Sequence, residues 1–203
     1  MEQRSNEWID ARRGVFTASD IWRLMGPKGL GETGMTYIKE KVAEYFGAYE
    51  DEVSSAAMRW GTTLEPDARE YYQLAFKETV SESGFILATW TDSAGCSPDG
   101  LIRSKKRGTE FKCPYNPSNH IDHLLIKSEA DLKECNKKYY WQVQNCLLIT
   151  GYVDWDFVSY DPRFTGDKRM GSVIIKPVEA DQILLRARIE EAIKIKNEII
   201  AKL

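Results

Sequence analysis

The chain has 203 residues, 42% hydrophobic and 29% charged, which excludes a disordered or fibrous protein and predicts one globular domain over 1–203. Its 28 basic and 31 acidic residues give a net charge of −3, which excludes bulk positive charge as the basis of nucleic-acid binding but leaves room for a local basic patch. No apolar run approaches the ~20 residues of a membrane span. The polar N-terminus contains no apolar signal segment, so an intracellular protein is expected.

The N-terminal region is predicted to contain two short helices. The first is expected over 6–12, and the second over 20–25, with Ser19 as its N-cap and Gly26-Pro27 at its end. The glycine-rich stretch 29–34 is predicted to be a flexible loop. The four cysteines form no C-x-x-C pair, so structural zinc is not expected and the thiols are predicted to be reduced.

Two longer helices follow. Apolar residues at helical spacing predict them over 35–46 and 54–76. Gly61 and Pro66 lie inside the second, so a kink or break is expected there.

The hydrophobic period then changes to that of strands. Strands are predicted over 85–90, 95–103, 109–113, 152–160 and 172–178, and helices over 139–150 and 181–203. The second and third strands form a hairpin through the basic turn 104–108. This order predicts an α/β (α+β) fold with a central mixed β-sheet flanked by helices.

The strongest chemical signal lies on that hairpin, where Pro98-Asp99-Gly100 precedes Glu110-Phe111-Lys112. Side chains alternate along a strand, so Glu110 and Lys112 are expected on one face and Phe111 on the other, in the core. Asp99 lies near the partner strand and can reach the polar face. Two carboxylates and one ammonium group are therefore predicted to lie close together.

Such a group suits metal-dependent phosphodiester hydrolysis. Mg²⁺ prefers oxygen ligands, commonly one or two carboxylates, which Asp99 and Glu110 supply, with the backbone carbonyl of Phe111 as a further ligand. Lys112 can position or deprotonate the attacking water, or neutralise the scissile phosphate. The alternative is a surface hairpin with an ordinary ion pair between residues two apart.

Six motifs occur in a fixed order between residue 8 and about residue 163. They are Trp8…Arg12…Gly14…Thr17-Ala18-Ser19, Trp60-Gly61…Glu65…Asp67-Ala68-Arg69, residues 96–101, residues 110–114, Gln142-Val143-Gln144 and Tyr160-Asp161-Pro162-Arg163. Together they resemble the phage lambda-type exonucleases, also called YqaJ-like viral recombinases, within the PD-(D/E)xK nuclease superfamily. The resemblance implies a restriction-endonuclease-like fold with a PD-(D/E)xK core.

The resemblance also implies roles for single residues in catalysis. Asp99 and Glu110 are metal ligands in this interpretation, and Lys112 is the catalytic lysine. Glu65 is a further acidic residue in or near the metal shell, or alternatively a favourable charge near a helix N-terminus. Gln142 orients water or holds Lys112, or alternatively is an ordinary exposed glutamine on a helix.

A pocket for the 5′-terminal phosphate is implied near the N-terminus. It would contain Arg12, Ser19 and Lys28, with Arg13 as the next candidate. A helix N-terminus at Ser19 would present free N–H groups to an anion, and arginine contacts phosphate through two donors. Ser19 could equally be a plain N-cap. The register of Lys28 stays open, because its loop is shorter than the family's.

The implied function is a Mg²⁺-dependent exonuclease, with Mn²⁺ as a substitute. It would digest linear double-stranded DNA from a phosphorylated 5′ end in the 5′ to 3′ direction, release 5′-mononucleotides and leave 3′ overhangs for phage-type recombination. The resemblance further implies a ring-shaped homotrimer, a single-strand annealing protein as partner, and a phage or prophage protein in the bacterial cytoplasm. The alternatives are a PD-(D/E)xK endonuclease and a DNA-end binding module without catalysis.

The sequence leaves the roles of two other groups of residues undecided. His120 and His123 have metal-like spacing but lack a third ligand, so a metal site is not predicted there. Basic residues at 105–107, 133, 137 and 138 either contact the DNA backbone or are simply solvated.

Overall fold

This computed structural model describes residues 3–49 and 54–203, which form seven α-helices and seven β-strands. The helices are α1 (Asn6–Arg12), α2 (Gly31–Tyr45), α3 (Ala56–Phe76), α4 (Pro117–Leu125), α5 (Glu129–Cys135), α6 (Lys137–Thr150) and α7 (Glu179–Ile200). The strands are β1 (Phe16–Thr17), β2 (Ile86–Leu87), β3 (Ala94–Cys96), β4 (Gly100–Ile102), β5 (Arg107–Lys112), β6 (Asp154–Tyr160) and β7 (Met170–Ile175). Within the described ranges, no helix combines the length and apolar character needed to cross a membrane.

The strands form two mixed sheets, with the orders β1-β3-β2 and β4-β5-β6-β7. β1 runs parallel to β3 and β5 runs parallel to β6, while the other pairs are antiparallel. The predicted hairpin is present as β4 and β5, with Gly100 opposite Thr109 and Ile102 opposite Arg107. The predicted α/β class with mixed sheet and flanking helices is confirmed.

The larger sheet separates two apolar clusters. On β6, Trp155 and Phe157 point into the cluster shared with α6, whereas Val158 and Tyr160 point into the cluster shared with α3. Because alternate residues of a strand face opposite sides, β5 divides in the same way. Phe111 packs toward α3, where its ring meets that of Tyr72 at 5.7 Å.

The prediction for 19–34 is wrong in two respects. Ser19 is not an N-cap, because only a single 3-10 turn, Ile21–Leu24, forms after it, with Asp20 at the cap position. The expected loop 29–34 contains the start of α2 at Gly31. Gly34 lies within that helix. Its missing side chain leaves room for the side chain of Leu30 and for the Arg23 carbonyl. Glycine here serves close packing and not flexibility.

Of the kink or break expected at Gly61 and Pro66, the break is wrong, since α3 runs through both residues without interruption. Proline removes one backbone hydrogen bond. The buried side chains of Ala68 and Tyr72 hold the following turn against the sheet.

Other element boundaries also differ from the sequence prediction. The strand expected over 85–90 is reduced to Ile86–Leu87, and residues 97–99 divide the strand expected over 95–103 into β3 and β4. Helices α4 and α5 were not predicted from the sequence. Both are short helices capped by polar side chains, Asn116 and Ser128, which lie in a stretch without clear apolar periodicity.

Candidate active site

Glu110 and Lys112 project from β5 toward α6, as the alternation along a strand predicts. In the parallel register with β6, they stand opposite Phe157 and Ser159. The Lys112 Nζ atom lies 2.5 Å from Glu110 Oε1. The Glu110 side chain is 1% exposed and that of Lys112 is 19% exposed, so the pair lies at the base of an accessible site.

Asp99 reaches the same strand from the segment between β3 and β4. Its Oδ2 atom accepts a hydrogen bond of 2.8 Å from the backbone N–H of Phe111. This bond brings the Asp99 carboxylate beside the residue that separates Glu110 from Lys112. The structure therefore brings together the three side chains that the hairpin pattern singled out.

Gln142 on α6 holds both members of the ion pair. Its Nε2 atom donates to Glu110 Oε1 at 2.6 Å, and its Oε1 atom accepts from Lys112 Nζ at 3.4 Å. The ring of Tyr139, one turn earlier, lies 4.6 Å from Lys112 Nζ. Gln142 is buried, so it is not the exposed helix residue considered as an alternative. Of its other two roles, the geometry supports holding Lys112.

Glu65 on α3 lies at the edge of this group. Arg4 Nη2 donates to its Oε2 atom at 3.0 Å, and Arg69 Nη2 donates to its Oε1 atom at 3.2 Å. Its negative charge raises the pKa of both Asp99 and Glu110. Glu65 is thus a third carboxylate near the site, held by two arginines.

Burial and like charges make these carboxylates hard to ionise. Burial raises the pKa of Asp99 well above its usual range, and the charges of Glu110 and Glu65 raise it further. Burial also raises the pKa of Glu110, against the opposing effect of Lys112. Such clustering of shifted carboxylates is typical of sites that receive a cation.

Lys112 stays protonated in this arrangement. Burial by itself would lower its pKa, but the carboxylates of Glu110 and Asp99 raise it above the ordinary lysine value. An ammonium group can neutralise a phosphate or orient water, but it cannot accept a proton.

The donors fit a hard divalent cation such as Mg²⁺. Glu110 Oε2 is buried and has no hydrogen-bond partner within the described ranges, a costly arrangement that a cation would relieve. Among residues 3–49 and 54–203, no three His, Cys, Asp or Glu side chains converge closely enough to enclose a metal ion. Mg²⁺ is commonly held by one or two carboxylates together with water and substrate phosphate. Asp99 and Glu110 can supply the carboxylates.

Trp8 links Arg12 to the Asp99 segment. The guanidinium carbon of Arg12 lies 3.8 Å from the centre of the Trp8 ring, whose Nε1 atom donates to Ser97 Oγ at 2.9 Å. Ser97 is two residues before Asp99. Sequence analysis did not identify the Trp8–Ser97 contact, which depends on a hydrogen bond between residues 89 positions apart.

Ser19 and Lys28 are less favourably placed than Arg12 to bind a phosphate. Ser19 follows β1, which runs parallel to β3, so it lies at the same sheet edge as Ser97. Its hydroxyl donates to the Asp20 carboxylate at 3.2 Å, which brings a negative charge beside it. Lys28 is exposed in the turn between Gly26 and Gly29 and makes no hydrogen bond within the described ranges.

Several basic residues considered for DNA contact are engaged within the protein. Lys105 pairs with Glu78, and Lys133 donates to Asp181 at 2.7 Å. Arg107 points back to the sheet and lies 3.6 Å from Asp156. Lys137 and Lys138, at the start of α6, remain exposed.

Known proteins resemble this chain in sequence and in fold. The sequence model of the YqaJ-like viral recombinase domain matches residues 7–153. No curated protein sequence matches the chain significantly.

Solved structures of two exonucleases resemble this chain. An alkaline exonuclease, LHK-Exo from Laribacter hongkongensis, superposes with a TM-score of 0.84 at 29% identity, covering 98% of this chain and 95% of that one. The same enzyme in complex with dAMP gives 30% identity, the same TM-score and the same coverage. A phage related exonuclease from Haemophilus somnus 129PT has a TM-score of 0.74 over 93% of this chain and 96% of its own, but at 14% identity this shows only a shared fold.

Proposed function

Because this chain belongs to the YqaJ-like viral recombinase domain family and resembles alkaline exonucleases in structure, we propose that it is a Mg²⁺-dependent exonuclease on linear double-stranded DNA. It digests from the 5′ end in the 3′ direction and releases 5′-mononucleotides. The observation that carries the proposal is the buried Oε2 atom of Glu110, which has no hydrogen-bond partner in the described part of the chain and lies in the same group as Asp99 and Lys112. The dAMP bound by the Laribacter enzyme is a 5′-mononucleotide, the product expected here.

In this proposal, each residue of the site has its own role in hydrolysis. Asp99, Glu110 and the Phe111 carbonyl would hold Mg²⁺ (Mn²⁺ as a substitute), with Glu65 nearby. The metal, when bound, polarises the phosphate and lowers the pKa of water. Lys112 places a positive charge where negative charge develops on the phosphate, and Gln142 fixes its direction.

The 5′ end is recognised, in this proposal, beside Arg12. The contact between Trp8 and Ser97 fixes the ring under the Arg12 guanidinium close to the Asp99 segment. A phosphate bound there by charge-assisted hydrogen bonds would place the next phosphodiester toward Lys112. Ser19 adds a hydroxyl from the same sheet edge, and Lys28 is the weakest member.

The wider role is phage-type recombination. The 3′ overhangs left by the enzyme would be the substrate of a single-strand annealing protein. The enzyme would act as a ring-shaped homotrimer in the cytoplasm of a bacterial host, encoded by a phage or prophage. These points rest on the family resemblance.

The test uses three DNA substrates in Mg²⁺: a linear duplex with 5′-phosphate ends, the same duplex with 5′-hydroxyl ends, and a closed circle. We expect mononucleotides from the phosphorylated duplex, slower digestion of the hydroxyl duplex and no change in the circle. EDTA should stop the reaction.

Other outcomes select the alternatives. Nicking of the circle would make the protein an endonuclease with the same active residues. Tight binding of DNA ends without cleavage in either Mg²⁺ or Mn²⁺ would make it a binding module.

A further inference from the structure

A cavity of about 380 Å³ lies beside the candidate active site, at the end of β5. Its walls include Cys113 and Tyr115 after β5, His123 on α4 and Tyr139 on α6. Tyr139 is the residue whose ring contacts Lys112. The cavity therefore lies directly beside the Lys112 side chain.

A chain of hydrogen bonds fixes the state of His123. His120 Nε2 lies 2.8 Å from the Lys168 carbonyl, which can only accept, so this nitrogen donates. When Ser159 donates its single hydroxyl hydrogen to His120 Nδ1 at 2.8 Å, its oxygen accepts from His123 Nδ1 at 3.0 Å. His123 Nε2 is left as an acceptor.

His123 is one of the residues that line the cavity. His123 Nε2 has no hydrogen-bond partner in the described part of the chain, and it is not among the buried polar atoms that lack one. Burial lowers the pKa of His123 to about 4, and the positive charge of Lys112 lowers it further. The ring is therefore neutral at physiological pH, and Nε2 retains its lone pair.

The rest of the lining presents flat and polar groups in fixed positions. Asn116 and Asn136 cap α4 and α6 through their Oδ1 atoms, so their Nδ2 groups remain as donors. Arg163 holds the Tyr115 segment through a 3.1 Å bond to its carbonyl. Asp122 supplies a carboxylate, and no lysine or arginine is among the described residues of the lining. The cavity suits a neutral planar ligand and not a phosphate.

We propose that this cavity binds the nucleobase of the 5′-terminal nucleotide, with His123 Nε2 and Asp122 as acceptors for its N–H groups and Tyr115 as a stacking surface. This inference rests on the proposed exonuclease function. Every DNA base carries an N–H donor and a flat face, so the site recognises a base without selecting a sequence. It positions the terminal base while the phosphodiester on the 3′ side of that nucleotide lies at Lys112.

The kinetic test compares two phosphorylated duplexes, one with a normal 5′-terminal nucleotide and one with an abasic residue there. Under single turnover, the wild-type protein should release the normal terminal nucleotide about tenfold faster. Tyr115→Ala and Asp122→Asn should reduce that ratio to about threefold by slowing the normal substrate only. Tyr115 is 55% exposed, and Tyr45→Ala, which removes a 62% exposed tyrosine from the end of α2, is the matched control.

A binding test needs no activity. Titration with dAMP and with 2-deoxyribose 5-phosphate should show tighter binding of dAMP, and His123→Phe should remove the difference. Equal affinity for both probes, or equal cleavage of both duplexes, overturns the cavity assignment while the exonuclease function stands. Preferential dAMP binding without any DNA cleavage would support the cavity and reject the proposed function.

Discussion

Lys112 and Glu110, two residues apart on one strand, form an ion pair of 2.5 Å at the base of the site. Among the described residues, the hydrogen bonds to the Glu110 carboxylate all go to one oxygen, Oε1, because Gln142 donates to that atom too. The second oxygen, Oε2, is buried and unpaired within the described chain. The pair is thus organised around an acceptor that is kept available, as expected of a ligand for a cation.

Removing the ammonium group tests its role in the chemistry. Lys112→Gln should lower kcat by about a thousandfold while DNA-end binding changes little, because the charge acts mainly on the transition state. Single-turnover cleavage and equilibrium binding in Ca²⁺ measure the two effects separately. Lys105→Gln, a surface lysine paired with Glu78, is the control and should keep full activity. A parallel loss of binding and cleavage in Lys112→Gln would contradict this role.

Neutralising Asp99 should separate activity from stability. Asp99→Asn keeps an oxygen acceptor for the Phe111 N–H but removes a charge that Glu110 and Glu65 disfavour. In EDTA we expect a Tm increase of about 2–4 °C, the effect of roughly 1 kcal/mol in a domain of this size, with cleavage abolished in Mg²⁺. The raised pKa of Asp99 means that ionisation costs stability at high pH, so the gain should be larger at pH 8 than at pH 5. A lower Tm at both pH values would show that the carboxylate stabilises the metal-free protein.

Arg12 and its neighbour Arg13 form a matched pair for the 5′-phosphate site. Arg12→Ala should reduce the preference for a 5′-phosphate over a 5′-hydroxyl end by about tenfold, since charge-assisted hydrogen bonds to phosphate contribute about 1.5–3 kcal/mol. Arg13 pairs with Asp10 and packs on Tyr49, so Arg13→Ala should leave the preference intact. Digestion rates of the two duplexes give the ratio directly. Loss of the preference in Arg13→Ala alone would move the assignment to Arg13.

His123 should make the fold sensitive to acid. Its pKa of about 4 lies below the ordinary value near 6.5, so between these values the unfolded chain binds a proton that the folded chain does not. Stability is therefore complete above pH 6.5 and falls as the pH drops, by about 2 kcal/mol between pH 7.5 and pH 5. Urea unfolding of the wild type and His123→Phe across this range isolates the effect. Identical pH dependence in both would argue against a neutral buried ring.

Gly108 tests the packing of the sheet on which the site depends. A Cβ atom at this position would collide with the ring of Trp155, which is fully buried on β6. Gly108→Ala should therefore destabilise the fold by about 1–3 kcal/mol. Gly151→Ala is a less crowded comparison, although its φ of +66° carries its own strain. Chemical denaturation measures both, and an unchanged midpoint for Gly108→Ala would show that β5 and β6 can separate.

The sequence alone determined the hairpin chemistry. Strand alternation places Glu110 and Lys112 on one face and Phe111 on the other, because successive side chains of any strand point in opposite directions. The apolar spacing of 139–150 likewise predicted the helix that carries Gln142. These are local properties, set by the backbone period, and they survive packing.

Only the tertiary structure decided the relations between distant segments. Glycines at 29–34 read locally as a loop, yet Gly34 allows a helix to pack closely, and Pro66 is tolerated because α3 is held against the sheet. The cavity beside Lys112 joins α4, α5 and α6 with residues after β5, and its acceptor on His123 depends on a hydroxyl 36 residues away. Hydrogen bonds and close contacts between residues far apart in sequence have no period, so they leave no pattern for sequence analysis to detect.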